Sequence, residues 1–217
     1  MTIEKVNGFW VPANDVHLED WKSNKITFTQ SKCLEKFVNF CSKRKKKFNC
    51  ILDIGAWVGT WTMTMNNFSE KIIAFEPDPL HYKCLNKNVA EDVETWQLAV
   101  GSENKTVSLS DDDFTQKKRV MGEGDIPMIT VDSLGLTSVD VIKIDVEGYE
   151  MEVLKGAEKT LQNTKYLMIE LNNNTKKYGS NNLEIENYIK KIGFRQTISH
   201  WPDKVFERPD KVLVKKS

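Results

Sequence analysis

The apolar positions of this chain fall into short dense runs separated by stretches with helical spacing. "CILDIG" (50–55), "KIIAFE" (71–76), "VDVIKID" (139–145) and "KYLMIEL" (165–171) are almost continuously apolar. That is the pattern of strands buried on both faces of a parallel sheet. Between them, apolar residues recur every three or four positions over 58–67, 79–90, 149–161 and 183–192, which predicts four helices. An earlier helix is predicted over 31–43 from Cys33, Leu34, Phe37, Val38, Phe40 and Cys41. "ETWQLAV" (94–100) reads as a further strand of the same sheet. "KTVSLS" and "IPMITVDS" are additional strands joined by the polar, glycine-containing stretch 111–125. "FRQTIS" and "KVFER" form an antiparallel pair around Trp201-Pro202. Strands alternating with helices of this length predict an α/β fold with a parallel, doubly wound sheet.

No internal repeat or linker interrupts the pattern, so residues 1–217 are expected to form a single domain. Residues 1–48 would supply an N-terminal cap and helix, 49–172 a ligand-binding core, and 173–217 C-terminal strands and a substrate region. The cap carries Trp10, Pro12, His17 and Trp21 without clear periodicity.

Composition narrows the function classes. An apolar fraction of 40% suffices for a sizeable core. Lys+Arg and Asp+Glu balance at 31 each, which argues against general nucleic-acid binding. No run of about 18 apolar residues is present, so no membrane span is expected. The first residues lack an apolar core followed by a small-residue cleavage site, and a cytoplasmic location is expected. Cys33, Cys41, Cys50 and Cys84 show no paired spacing and are expected to be packed, reduced thiols. "KRKKK" (43–47) is expected to be a solvated helix end.

The four dense runs end in Asp53, Glu76, Asp145 and Glu170. In an open parallel sheet those tips share the edge where ligands bind. Carboxylates are costly to bury alone, so four on one edge suggest a polar, hydroxyl- or cation-bearing ligand. Gly55 and Gly59 lie between the first dense run and the next helix, where glycine lets the backbone approach a ligand. The loop "DIGAWVGTW" departs from GxGxxG, and no GK[ST] follows. Glu76 lies 21 residues after Gly55, an offset at which an acidic residue binds ribose hydroxyls. Asp53 at the mouth of the glycine loop would repel a pyrophosphate but suit an ammonium or sulfonium. S-Adenosylmethionine meets that description better than NAD.

With these residues assembled, the chain resembles the FkbM family of S-adenosylmethionine-dependent methyltransferases. The resemblance rests on "DIGAWVGTWT", "IIAFEPDP", "LNKNVA", "LAVG", "ITVDSL" and "DVIKIDVEGYEMEVLKGA", with "YLMIEL" a looser match, over roughly residues 49–172. It implies a class I methyltransferase (Rossmann-like) three-layer sandwich, with a mostly parallel seven-stranded sheet and an antiparallel last strand. It also implies O-methylation of a sugar hydroxyl or another small-molecule or glycan acceptor. Trp57 and Trp61 depart from the smaller residues common in the first motif.

By resemblance and position, Asp53, Gly55, Ala56, Gly59 and Thr60 would line the methionyl part of the cofactor. Glu76 would take both ribose hydroxyls, Pro77 and Asp78 would shape the adenosine edge, and Ala99 and Val100 would lie near the adenine. Asp78 is equally a candidate helix N-cap. A hydroxyl acceptor needs a base or a metal, and the candidates are Asp145, Glu147, Glu170 and His200. Asp145 is the first choice, either toward the acceptor or toward the cofactor's ammonium. Glu147 is an acid–base group or a cap for the helix near Gly148. Asp145, Glu170 and Asn172 could together hold a divalent cation, although no close-spaced ligand motif asks for one and none is expected. Lys143 is expected to pair with a carboxylate. His17 and His81 are weaker candidates for chemistry, and Trp10, Trp21 and Trp201 could stack on a sugar face. The alternatives are a nicotinamide-dependent oxidoreductase and a non-catalytic cofactor-binding subunit. Methylation of nucleic-acid bases is disfavoured because "DVEG" stands where an NPPY-like stretch would be.

Overall fold

The four dense runs become neighbouring strands because each is buried along its length and needs a cover on both faces. In the computed structural model, which describes residues 2–13, 15, 18–23, 32–110 and 118–210, the chain opens with β1 (Ile3–Val6), β2 (Phe9–Pro12) and α1 (Leu18–Lys22). The helix α2 (Lys32–Lys43) follows, then β3 (Ile51–Ile54), α3 (Thr60–Asn66), β4 (Ile72–Phe75), α4 (Pro79–Asn88) and β5 (Glu94–Trp96). Three short strands, β6 (Ala99–Val100), β7 (Lys105–Val107) and β8 (Ile126–Ile129), lead to β9 (Val141–Ile144). The chain ends with α5 (Glu150–Lys155), α6 (Glu158–Leu161), β10 (Tyr166–Glu170), α7 (Asn182–Lys191), β11 (Arg195–His200) and β12 (Asp203–Glu207).

The main sheet has seven strands in the order β11-β12-β10-β9-β3-β4-β5. Its central pairs are parallel, and β12 runs antiparallel between β10 and β11. The strand period of two splits the core. Leu52, Ile54, Ile142 and Ile144 pack with Val153, Leu154, Leu161, Ile185 and Ile189 from α5 to α7. Ile51, Ile72, Val141 and Met168 pack with Cys33, Phe37 and Cys41 of α2 and Trp61 and Met65 of α3. The expected three layers result, with the last strand antiparallel. All four cysteines are free and buried. Residues 43–45 are exposed, as expected of a solvated helix end. Among the described residues, no helix is long and apolar enough to cross a membrane.

Three expectations change. "ETWQLAV" is two strands: Trp96 O accepts from Glu76 N, and the chain then crosses to pair Ala99 and Val100 with Met128 and Ile129 in a separate three-stranded sheet. The helix expected over 149–161 breaks at Gly156, whose added Cβ would lie 1.8 Å from Gly101 O. Only a glycine permits that contact, and the second helix restarts beyond it. The N-terminal cap is a hairpin, closed by Asn7 (φ 50°) and Gly8 (φ 92°) between the partners Val6 and Phe9. Both turn residues need positive φ, and Asn-Gly is the sequence that supplies it in a two-residue turn.

Asn88 of α4 ties this hairpin down. Its Oδ1 accepts from Trp10 N at 2.7 Å, while its Nδ2 donates to Trp10 O and Val58 O, each at 2.8 Å. Asn88→Ala should therefore cost about 1–3 kcal/mol, the penalty of leaving partly buried backbone groups unpaired. Urea denaturation would measure it, and a loss below a few tenths would contradict the anchoring role.

Candidate functional site

The turn after β3 is shaped by close backbone approach. Gly55 has φ 79°, and a Cβ there would meet Asp145 O at 1.8 Å. Gly55 N and Ala56 N both donate to Phe75 O, and Asp145 N donates to Ile54 O, so the tips of β3, β4 and β9 are stitched together. Gly59, at φ 92°, instead serves packing: its Cβ would lie 2.9 Å from Leu85 Cδ1 of α4. Ala56 and Thr60 line a pocket at these tips together with Trp57, Trp61, Asp145, Met168 and Glu170.

Asp53 does not offer a free charge to this pocket. Its side chain is fully buried, Oδ2 accepts from Thr62 Oγ1 at 2.5 Å, and Oδ1 forms an ion pair with Lys143 Nζ at 3.1 Å. Lys143 faces Asp53 across the β3–β9 register, also lies 3.6 Å from Asp145 Oδ2, and donates to Gly55 O at 2.6 Å. Burial opposes its charge, but Asp53 and Asp145 outweigh burial and raise its pKa, so it stays charged. The expected pairing of Lys143 is therefore present. It offsets the repulsion of a pyrophosphate that the sequence assigned to Asp53.

Glu76 is buried at the tip of β4, with both oxygens fixed: Oε2 accepts from Trp57 N at 2.8 Å and Oε1 from Asp78 N at 2.9 Å. Asp78, after Pro77, is the N-cap of α4, accepting from Leu80 N at 2.8 Å and His81 N at 3.0 Å. Burial pushes Asp78 up, but His81 and Lys118 together hold its carboxyl below the usual range. Ala99 and Val100 are buried in the packing of the small sheet and the core, not on the pocket wall.

The acceptor candidates divide. Asp145, Glu147 and Glu170 each bring a carboxylate oxygen within 4.8 Å of the others. Asp145 and Glu170 line the pocket, with the Asp145 side chain 39% exposed. Glu147, at φ 54°, accepts from Asn174 Nδ2 at 2.7 Å and Asn172 Nδ2 at 3.3 Å. It does not cap the following helix. Glu150 takes the bond from Gly148 N at 2.9 Å, and burial pushes its carboxyl up to about 7. Burial raises the Glu170 pKa strongly, as do the nearby charges of Asp145, Glu147 and Asp203. Asn172 Nδ2 donates to Glu170 Oε2 at 2.7 Å.

His200 pairs with Asp203 across β11–β12, and the pocket wall is Asp203. Asp203 was not singled out in the sequence. It reaches the site because β12 inserts beside β10 and sets Asp203 opposite Glu170. Asn174 was missed too; its signal was only its position after the β10 tip. Among the tryptophans, Trp10 is flanked by Lys87 Nζ at 4.7 Å, and Trp201 is 62% exposed on the β11–β12 turn. His17 and the Trp21 side chain lie outside the described residues, as does 111–117 of the polar stretch.

Comparison with known proteins gives a consistent picture. Residues 53–196 match a family model described as the methyltransferase FkbM domain. The match starts at the buried aspartate and reaches into β11, beyond the segment that carried the resemblance. A curated relative, hexuronic acid methyltransferase AglP of Haloferax volcanii, is 28% identical over 130 residues, covering 55% of this chain and 54% of that protein. The match thus spans about half of the relative's length. The crystal structure of methyltransferase FkbM from Methylobacillus flagellatus KT matches with TM-score 0.55 and 19% identity, over 74% of this chain and 43% of that one. An rRNA methylase from Streptococcus thermophilus matches with TM-score 0.53 and 12% identity, over 82% of this chain and 97% of that one. These structural likenesses show the fold, which is that of class I methyltransferases.

Proposed function

The chain belongs to the FkbM methyltransferase domain family, and from that premise we propose that it uses S-adenosylmethionine to O-methylate a sugar hydroxyl. The observation that carries the reading is the meeting of the Gly55 turn, Asp145 and Glu170 at one pocket, with Glu76 fixed at the next strand tip.

The residues fit the cofactor. Each Glu76 oxygen accepts one backbone N–H, which leaves a lone pair on each for two ribose hydroxyls. Gly55 has no side chain where a ligand must come close to the β3 tip. The half-exposed Asp145 and the aromatic walls of Trp57 and Trp61 suit a cationic methionyl end. A pyrophosphate finds the reverse: Asp145 and Asp203 on the wall, and Lys143 already engaged.

Bound S-adenosylmethionine would supply an electrophilic methyl on sulfonium. The chain's part is orientation and proton handling. The pocket walls hold the acceptor oxygen in line, an effect worth up to about 7–11 kcal/mol when alignment is good. Asp145 takes the hydroxyl proton on Oδ. Glu170, kept neutral by burial and by its carboxylate neighbours, lies beside Asp145 and limits the charge that collects there. Asn172 and Asn174 direct amide N–H groups onto Glu170 and Glu147, using acceptor positions a cation would need.

The sugar-methylating relative supports a sugar acceptor. The test is transfer of labelled methyl from S-adenosylmethionine to a panel of mono- and disaccharides, nucleotide sugars, glycolipids and hexuronic-acid glycans, with and without EDTA. Transfer to a sugar that persists under chelation is expected. Transfer that appears only when a divalent cation is restored would make the three-carboxylate cluster a metal site and overturn the proton-based account.

A further inference from the structure

The His81 side chain lines no part of the pocket, yet it is buried beside Glu76. Its Nδ1 lies 3.6 Å from Glu76 Oε1 and 3.8 Å from Asp78 Oδ1, and its ring is almost fully enclosed. Asp15, on the segment between β2 and α1, is also buried and adds its field to the same imidazole. Three carboxylates from two segments, the Glu76–Asp78 turn and Asp15, therefore act on one ring. The cation shown on the far side of Asp78 is Lys118, at 3.2 Å. Collecting such charges out of water is unfavourable without a counter-charge at their centre. At 3.6 Å the contact is longer than an ordinary hydrogen bond, and His81 and Glu76 face one another as a close, buried pair.

We propose that His81, as an imidazolium, is a positioning residue that holds the Glu76 carboxylate aligned for the ribose hydroxyls, an inference that rests on the cofactor reading above. Burial alone would lower the histidine pKa, but Glu76, Asp78 and Asp15 outweigh it and raise the value. A raised folded-state pKa means the stabilisation is fully present below the ordinary histidine value and is lost as pH rises through the raised one. Ribose recognition should weaken over the same window. Above it, Glu76, Asp78 and Asp15 repel one another and Glu76 turns from its bidentate position.

The probe is the ratio of affinities for adenosine and 2′-deoxyadenosine, which isolates a ribose hydroxyl and contains no group titrating near neutrality. It would be measured from about pH 5.5 to 9, a span bracketing histidine. The wild-type preference for adenosine should fall roughly two- to tenfold across that range, the worth of one oriented hydrogen bond. His81→Asn, which keeps a donor near the Nδ1 position but cannot titrate, should show a flat ratio. Superimposable profiles for wild type and variant overturn the positioning role while leaving the cofactor reading intact. A wild-type ratio above one that ignores pH does the same, even if His81→Asn fails to fold. Equal binding of the two nucleosides at every pH, or no binding at all, removes the ribose role of Glu76 and both readings with it.

Discussion

Asp145→Asn is expected to lower methyl-transfer turnover by about 10²–10⁴-fold, the range for removing a positioned general base. The variant keeps the shape of the side chain, so the fold should survive. What it loses is the acceptor for the hydroxyl proton at the mouth of the pocket. Glu76→Gln makes the counterpart. It keeps one oxygen acceptor and replaces the other with a donor, so cofactor affinity should fall while turnover at saturating cofactor changes little. Steady-state kinetics over cofactor concentration separates the two. Equal losses of kcat in both variants would refute the division of roles between the β9 and β4 tips.

Gly55→Ala should be the most damaging small substitution in the molecule. The new Cβ would sit 1.8 Å from Asp145 O and 2.8 Å from its carbonyl carbon, both backbone atoms that cannot swing aside. The residue also holds φ 79°, which costs an L side chain about 1–2 kcal/mol. Relieving the overlap adds about 1–3 kcal/mol, the usual penalty of overpacking. A combined loss of roughly 2–5 kcal/mol should appear in urea denaturation, with loss of cofactor binding in whatever remains folded. Gly135→Ala is the control: φ is also positive, at 64°, but the space is open, so only the conformational cost applies. Similar losses at both positions would show that the close approach between β3 and β9 does not matter.

The sheet was legible in the sequence because strands buried on both faces must be apolar throughout, and β3, β4, β9 and β10 are. Their carboxylate tips followed from that, since parallel strands end on a common edge. The antiparallel run of the last strand followed from the resemblance. The consequences of register were not visible. Lys143 sits inside an apolar run, and only pairing β9 beside β3 shows that it neutralises Asp53. Asp203 drew no notice in the sequence, and only the β10–β12 pairing sets it opposite Glu170. Nor could the sequence show what holds Glu147: Asn172 and Asn174 donate to it from 25 and 27 residues away, while Glu150 takes the Gly148 N–H. The hairpin was not read from the sequence, because its two strands are too short to show periodicity; its signal was the Asn7-Gly8 pair. The break at Gly156 had no local signal, because its cause is the backbone of Gly101.

The central claim is that the strand-tip edge, negative at the pocket and with fixed ribose acceptors at Glu76, selects S-adenosylmethionine over a pyrophosphate-bearing dinucleotide. Titration calorimetry of the protein with S-adenosylhomocysteine and with NAD tests it directly. Saturable binding of S-adenosylhomocysteine, weakened by Glu76→Gln, with no heat from NAD, is the predicted result. Saturable binding of NAD with none of S-adenosylhomocysteine would contradict the account.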